Sequence, residues 1–218
     1  MVKLKVCILG FSKAEIMNNV LFESQLKFIF VISVLIFLSS CSRIMRPPDV
    51  VIRDVDCTEI NSILDSVAVS DQRARTDASL EFRERVETDY ENLSTVLSIL
   101  ESCGLPGLDQ VNQTQFNAIW MVIHHSSDPK YMEKYFPLFE EAKVRGDMRP
   151  QDYATVKDRL LMRRGEPQIY GSQIRRGKLY NLIEPEYVNQ RREEVGLGPI
   201  QEYLDFFNIE FDIEQKEK

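Results

Sequence analysis

The stretch LEFRERVETDYENLSTVLSIL, residues 80–100, decides the fold class of this 218-residue chain. Its apolar residues recur every three or four positions and charged residues fill the positions between them, which is the pattern of an amphipathic α-helix. These apolar residues are Phe82, Val86, Tyr90, Leu93, Val96, Leu97 and Leu100. The helix is predicted to end at Gly104, with Pro106 beyond it, because glycine often ends a helix and proline cannot continue one.

The same periodicity continues on both sides of this stretch and predicts a mainly α, compact multi-helix domain over residues 57–209. Upstream, Ile60, Ile63, Leu64 and Val67 mark one helix face. Prolines and glycines delimit the helices predicted downstream, over 114–126, over 129–145, from Pro150 to Gly165, and from Pro185 and Pro199 onward. A small β-hairpin or extended segment is expected near residues 168–183, and residues 210–218 are expected to form a frayed tail.

The amino-terminal part of the chain has the pattern of a targeting segment. Residues 28–38 read FIFVISVLIFL, an uncharged run of eleven residues, whereas a helix that spans a bilayer needs ~20. The run is followed by Leu38-Ser39-Ser40-Cys41, which resembles the bacterial lipobox, in which the cysteine becomes the lipidated amino terminus. The alternative is a buried helix that ends in a cysteine by coincidence.

These features predict a signal peptide over residues 1–40, lipidation of Cys41 and a tether over residues 41–56. A signal peptide begins with a short basic region, but Lys27 is the single basic residue close to the apolar run. Met17 is therefore a second candidate start, in which case residues 1–16 would be a start-site overrun that does not belong to the protein. The expected location is the cell envelope, where the lipid anchor binds the membrane and the domain faces the periplasm or the cell exterior.

Composition excludes several functional classes. The net charge of −7 argues against a general nucleic-acid-binding protein, which needs a basic surface. The four cysteines are too few for a disulfide scaffold and have no zinc-ligand spacing, so neither a metal nor a cofactor is expected. In an oxidising compartment Cys57 and Cys103 could either pair or remain free.

Charge is divided unevenly along the chain. Residues 53–101 contain 12 acidic and 5 basic side chains, whereas residues 157–192 contain 9 basic and 4 acidic ones. Both stretches could be solvated helix faces. Alternatively, the basic stretch could hold a local anion-binding surface, since guanidinium groups bind carboxylates and phosphates through paired hydrogen bonds. The arginines that would form it are Arg159, Arg163, Arg175, Arg176 and Arg191.

The only two histidines, His124 and His125, are adjacent in the third predicted helix. Successive residues of a helix point about 100° apart, so the two rings are not expected to bind one metal together. His124 is expected to pack beside Trp120, and either ring could complement the carboxyl end of the helix dipole. His125 is expected to face the Asp158-Arg159 helix and the 168–173 segment, where Asp128 could orient it for general acid–base catalysis.

Several polar phrases occur in an order that resembles the bacterial domain-of-unknown-function family 6624. They are Asp71-Gln72-Arg73, Asp89 with Asn92, Gly104-Leu105-Pro106, Trp120 with His125, Asp158-Arg159, Gln168-Ile169-Tyr170-Gly171-Ser172-Gln173, and Arg191-Arg192 ahead of Val195-Gly196-Leu197. The resemblance spans about residues 57–205 and implies an uncharacterised group with many secreted or lipid-anchored members. It supplies no activity. The chain departs from the usual family residues at Leu105, His124 and Ser172, where Trp, Gln and Thr are expected.

The GxxxxGK[ST], GxSxG and HExxH motifs are absent, which disfavours nucleotide-dependent enzymes and zinc proteases. Three functions remain open. The first is an envelope lipoprotein that binds a partner protein, a peptide or an anionic glycan through residues 157–192. The second is a small hydrolase or transferase that uses His125 and Asp128 with an arginine clamp. The third is an immunity protein against an envelope toxin.

One group of residues is expected to bind the ligand in either of the first two cases: Asp158, Arg159, Gln168, Tyr170, Gln173, Arg191 and Arg192. Alternatively, Gln168, Tyr170 and Gln173 belong to a hairpin whose side-chain amides satisfy buried backbone groups. Their arrangement relative to His125 separates the two functions. Convergence of His125, Asp158, Arg159 and Gln173 in one cleft would favour an enzyme or a small-ligand site, whereas scatter would favour an interaction module.

Overall fold

The computed structural model describes residues 48–217; the predicted signal peptide and the predicted lipidation site at Cys41 lie outside them. The described part contains seven α-helices, two short strands, and 3₁₀ turns at Cys57–Glu59 and Pro185–Tyr187. The helices are α1 (Ile60–Thr76), α2 (Phe82–Cys103), α3 (Gln113–His125), α4 (Pro129–Arg145), α5 (Pro150–Arg164), α6 (Val188–Glu194) and α7 (Ile200–Asp205). The strands are β1 (Ile174–Arg175) and β2 (Lys178–Leu179), which pair antiparallel. The predicted mainly α domain with a small hairpin is therefore confirmed.

Local capping residues set the helix boundaries. The side chain of Asn112 accepts a hydrogen bond from the backbone of Gln115, and the side-chain oxygen of Gln115 accepts one from the backbone of Asn112, so α3 begins one residue earlier than predicted. Gly146 and Gly165 follow α4 and α5 with left-handed backbone conformations that an L side chain rarely adopts. Both helices have the bounds that proline and glycine predict.

Two hydrophobic clusters hold the elements together. Helices α1 to α5 share the main core, whose fully buried members include Leu64, Leu97, Phe116, Met132 and Phe139. Burial of one such side chain stabilises the fold by about 1.5–3 kcal/mol. A smaller cluster joins the hairpin to the two short helices and has three fully buried residues, Val188, Ile200 and Leu204.

An extended segment before α1 lies along α2 and is held by a row of serine hydroxyls. The backbone N–H groups of Val51, Arg53 and Val55 donate to the hydroxyls of Ser94, Ser98 and Ser102, respectively. The spacings match, because two extended residues advance about 6.6 Å and four helical residues about 6 Å. Residues 51–55, which the sequence predicts to be part of the tether, are thus attached to the helical domain.

A disulfide bond between Cys57 and Cys103 fixes the end of this segment to the end of α2. The sequence left this pairing open. The disulfide bond joins residues that are 46 positions apart in the sequence. Closing a loop of this length lowers the entropy of the unfolded chain, which corresponds to about 4 kcal/mol of stabilisation.

The chain ends differently from the expected frayed tail. The side chain of Gln215 accepts a hydrogen bond from the backbone of Asn189 in the first turn of α6 and donates one to the carbonyl of Pro185. The backbone of Lys216 also donates to the carbonyl of Glu186. These bonds hold Gln215 and Lys216 against the turn at Pro185–Tyr187 and the start of α6, and one of them supplies an acceptor for the Asn189 N–H, which the helix itself leaves unpaired.

Candidate functional site

A cleft of about 190 Å³ opens between α2 and the carboxyl end of α3. It is lined by Val86, Asp89, Tyr90, Leu93, His125, Ser126 and Ser127. We call it the His125 cleft. Its lining combines one carboxylate, one imidazole and three hydroxyl groups with two aliphatic side chains, so it offers both hydrogen bonds and apolar contact to a ligand.

The imidazole of His125 is held from α1. Its Nδ1 lies 3.1 Å from Oδ1 of Asp71, and the Asp71 side chain is 4% exposed whereas that of His125 is 24% exposed. Asp71 occupies a core position of α1, in register with Ile60, Leu64, Val67 and Ala74. A carboxylate at such a position is costly unless it is paired, and His125 is one of its two partners.

The charge state of Asp71 determines which nitrogen of His125 carries the proton. Burial acts to raise the pKa of Asp71, but the hydrogen bond and charge of His125, together with Arg75, outweigh it, so the pKa is lowered. An ionised carboxylate only accepts hydrogen bonds, so Nδ1 of His125 carries a proton. In the neutral ring, Nε2 is then an acceptor, and it makes no hydrogen bond to any other residue between 48 and 217.

Arg75 links the buried carboxylate to the cleft wall. Its Nη2 lies 3.3 Å from Oδ1 of Asp71 and also bonds Oδ1 of Asp89, which lines the cleft. The second oxygen of Asp71, Oδ2, has no hydrogen-bond partner within the described part of the chain. The group of His125, Asp71, Arg75 and Asp89 is therefore a connected network with remaining capacity to accept hydrogen bonds.

Two hydroxyl groups and a fixed backbone complete the mouth of the cleft. The Tyr90 hydroxyl and the Ser127 Oγ lie 3.3 Å apart. Arg163, on α5, donates to the carbonyl oxygen of Ser126 and so fixes the backbone that carries both serines. Chemically, the cleft can accept hydrogen bonds and exchange a proton at His125. Neither serine is hydrogen-bonded to His125, so no activated nucleophile is formed by this arrangement.

His124 has a separate environment. It is buried, its ring centroid lies 6.1 Å from that of Trp120, and Nη2 of Arg159 lies 3.2 Å from its Nε2. The pKa of His124 is held well below 6.5, first by burial and then by the charges of Arg159, His125 and Arg163. The prediction that His124 packs beside Trp120 is confirmed, and the ring remains neutral near pH 7.

The structure does not bring Asp128 to His125, so the predicted pairing of these two residues is wrong. Asp128 is the amino-terminal cap of α4, where its Oδ1 accepts from the backbone of Lys130 at 3.0 Å and its Oδ2 lies 2.6 Å from the Lys130 ammonium. The first N–H groups of a helix lack partners and attract such a carboxylate. His125 faces α1 rather than α5, because Asp71 holds its ring.

Most of the predicted ligand-binding residues instead stabilise a loop. Asp158 is fully buried, and its carboxylate accepts backbone hydrogen bonds from Ile169, Tyr170 and Ser172 at 2.7–3.2 Å. Burial raises the pKa of Asp158, and these bonds oppose the rise. Gln168 and Gln173 are also buried: the Gln168 side chain donates to the Gln173 carbonyl and accepts from the Gln173 N–H, and the Gln173 side chain donates to the carbonyl of Thr155. We call Asp158 with residues 168–173 the Asp158 knot.

The arginines of the predicted anion-binding surface have different environments. Arg191 donates to the carbonyls of Ile169, Ile183 and Glu184, and Arg192 to those of Tyr170 and Gly198. Arg175 and Arg176 are exposed on the hairpin. Arg159 and Arg163 do lie close together, and the charge of Arg163 helps burial to lower the pKa of Arg159. Their guanidinium groups bond His124 and backbone carbonyls, respectively.

The predicted site residues therefore scatter, since Asp158, Arg159 and Gln173 do not line the His125 cleft. Sequence reasoning missed Asp71, Arg75, Tyr90 and Ser127. One signal was present, because a charged residue at the core position of Asp71, with an arginine four residues later, interrupts an apolar helix face. The pairing of that carboxylate with His125 required the packing of α1 against α3.

Among residues 48–217, no group of three or more His, Cys, Asp and Glu side chains is placed to hold a metal ion. Within the same range no helix combines the length and apolar character that a membrane span requires.

Residues 77–216 match the model of a family of unknown function, DUF6624, and this match covers more than half of the chain. The chain therefore belongs to that family, and the predicted resemblance is confirmed over this range. No curated protein and no solved structure matches the chain. The matched range begins after Asp71 and Arg75, so these two residues of the network behind the cleft precede it.

Proposed function

We propose that this member of the DUF6624 family is a lipid-anchored protein of the cell envelope whose helical domain binds a ligand in the His125 cleft. One observation carries the proposal. A buried carboxylate holds Nδ1 of His125, while Nε2 has no partner in the described part of the chain and the ring lines a cleft. A ring oriented in this way loses little conformational freedom when a ligand binds to it.

The size of the cleft limits what can enter. Pockets for drug-sized ligands have volumes of roughly 300–1,000 Å³, and this cleft has about 190 Å³. The proposed ligand is therefore one side chain or one small group of a larger partner, which could be an envelope protein, a peptide or a glycan. The basic stretch of residues 157–192 contributes little to this binding, because Arg191 and Arg192 bond main-chain carbonyls.

A second candidate function is general acid–base catalysis by a small hydrolase or transferase. The observation in its favour is that Asp71 takes the role predicted for Asp128 and sets the tautomer of His125, as carboxylates do in many catalytic sites. Ligand binding ranks first because neither Ser126 nor Ser127 is hydrogen-bonded to the imidazole.

The membrane anchor is tested by metabolic labelling with a fatty-acid analogue. The wild-type chain is expected to incorporate the label, and Cys41→Ala to lose it, since the proposed acylation needs that thiol. Ser39→Ala is a matched control that keeps a small residue in the lipobox-like sequence and should retain the label. Label that persists in Cys41→Ala would contradict the anchor and leave the cleft proposal untouched.

The cleft is tested in the native envelope with a photo-crosslinking residue at position 127. This full-length variant is expected to trap a partner, and the yield should fall at least about fivefold when His125→Gln is added. His124→Gln is the control substitution, and a crosslinker at Val144, which is 87% exposed on α4, is the control position. Equal yields at positions 127 and 144, or equal loss with both histidine variants, would refute the proposal.

A further inference from the structure

We infer that the His125 cleft binds an ammonium group on an aliphatic stem, such as the side chain of a lysine on the partner. This inference rests on the proposed function, since it names the ligand of that cleft. It reverses the sign of charge expected from the arginine-rich stretch.

The lining of the cleft is rich in hydrogen-bond acceptors. Asp89 is the acidic residue of the lining, which contains no lysine or arginine among the described residues. Nδ1 of His125 is engaged by Asp71, so Nε2 is the ring nitrogen left for a ligand, and it accepts a hydrogen bond whenever it carries no proton. The hydroxyls of Tyr90 and Ser127 can accept hydrogen bonds as well as donate them. An anion in this position would face a carboxylate and a lone pair, whereas an ammonium group has three protons to donate to them.

The charged residues immediately behind the lining also favour a positively charged ligand. Asp71 and Asp89 are two carboxylates that share a single arginine partner, Arg75, among the described residues. Arg163 is the opposing cation, but it bonds the carbonyl of Ser126 and does not line the cleft. Asp128 and Lys130, beyond the serines, form an ion pair with each other.

The apolar part of the lining suits the methylene stem. Val86 and Leu93 lie on α2 seven residues apart, with Asp89 and Tyr90 between them, so aliphatic and acidic groups occur on one helix face. A lysine side chain buries its methylene groups against such a surface while its ammonium group reaches the polar end. The ring of Tyr90 adds an electrostatic attraction for a cation.

The test is a titration of the full chain, purified in detergent, followed by NMR of ¹³C-labelled Val and Leu methyl groups and His rings. The probes are the methylamides of Nα-acetyl-lysine, Nα-acetyl-norleucine and Nα-acetyl-glutamate, which differ in charge but share a peptide-like backbone. The lysine probe is expected to shift the signals of Val86, Leu93 and His125, with at least about tenfold higher affinity than the norleucine probe.

Two substitutions on α2 separate a specific contact from a general charge effect. Asp89→Asn should weaken lysine binding at least about tenfold, because it removes the charged acceptor in the lining. Glu91→Gln removes the same charge two residues away at an exposed position outside the lining, and should change the affinity less than twofold. Equal effects of the two substitutions would overturn the inference.

The remaining outcomes distinguish the ligand class from the site itself. Preferential binding of the glutamate or norleucine probe at Val86, Leu93 and His125 would overturn the ammonium assignment and leave the cleft as a binding site. The absence of any shift at these three residues with every probe would overturn the ammonium assignment, whereas the proposed function stands or falls with crosslinking at position 127.

Discussion

The Asp158 knot and the His125 cleft are built from the same kinds of residue, but they differ in how completely their polar atoms are paired. In the knot, both carboxylate oxygens of Asp158 accept backbone hydrogen bonds, and the amides of Gln168 and Gln173 are also bonded. In the cleft network, Oδ2 of Asp71 has no partner among the described residues, and Nε2 of His125 makes no hydrogen bond to them.

This difference separates polar residues that stabilise the fold from those that are available to a ligand. A buried polar group without a partner costs free energy, so folding alone favours complete pairing, as in the knot. A group that remains unpaired beside a cleft can still gain hydrogen bonds when something binds. The Asp158-Arg159 and Gln168–Gln173 phrases therefore have a structural role here, and the proposed ligand site lies where α1, α2 and α3 meet.

The largest expected effect tests the structural role of the knot. Asp158→Ala leaves three backbone N–H groups and the Ser172 hydroxyl without their acceptor, so it should lower the free energy of unfolding by about 3–6 kcal/mol. Asp205→Ala, at an exposed position on α7, is the control and should cost less than about 0.5 kcal/mol. Urea denaturation measures both. A fully stable Asp158→Ala variant would show that the knot is dispensable for folding.

The disulfide bond lies outside both regions and should affect stability without changing the cleft. Replacing both Cys57 and Cys103 by Ser should lower the free energy of unfolding by about 4 kcal/mol, since the unfolded chain gains the freedom of the opened loop. The same loss should appear in the wild type under reducing conditions. If urea denaturation shows no loss in either case, the covalent link does not constrain the unfolded chain as proposed.

Asp71→Asn tests the network behind the cleft. It should cost about 2 kcal/mol, because the hydrogen bonds from His125 and Arg75 lose their charged acceptor. The pKa of Asp71 is lower in the folded chain than its value near 3.8 in the unfolded chain. This stabilisation is therefore present at pH values above 3.8 and is lost as the pH falls through 3.8 and then through the lower pKa of the folded state. The ¹⁵N signals of the His125 ring should also lose their preference for the Nδ1-protonated tautomer. An unchanged tautomer would show that Asp71 does not set it.

His124→Gln should change the pH dependence of stability more than stability itself. Below 6.5 the unfolded chain protonates His124 while the folded chain, with its lowered pKa, does not, so wild-type stability falls by at most ~1.4 kcal/mol per pH unit. The glutamine variant should lack this component, and at pH 8 its carbonyl oxygen can still accept from Arg159. Parallel stability curves of the two proteins between pH 8 and pH 5 would exclude this role for His124.

His125→Gln should have the smallest effect on folding and a clear effect on binding. The ring is partly exposed and lies outside the main core, and a glutamine amide can still donate a hydrogen bond to Asp71, so thermal unfolding should show a loss on the order of 0.5 kcal/mol. Crosslinking and probe binding at the cleft should fall, which makes this variant the counterpart of Asp158→Ala. Unfolding of the domain by His125→Gln would place the histidine with the structural residues and end the distinction between the two regions.

Much of the fold follows from local signals in the sequence. The three-four spacing within residues 80–100, the prolines at 129 and 150, and the glycines at 146 and 165 place helices where the structure has them. These signals are reliable because helix propensity, capping and termination act over a few neighbouring residues. The turn that joins the two strands of the hairpin is also set by local residues, since both Arg176 and Gly177 have the positive φ of a tight turn.

The pairing of the polar residues was decided only by the tertiary structure. Asp71 and His125 are 54 residues apart, and each had several candidate partners until α1 packed against α3. The sequence offered Asp128 as the nearest carboxylate, but the start of α4 engages it. Hydrogen bonds between distant side chains depend on which helix faces meet in the core, and many packings satisfy the same local pattern. The sequence by itself therefore determined the helices and their order, whereas packing decided which polar residues support the fold and which remain free to bind.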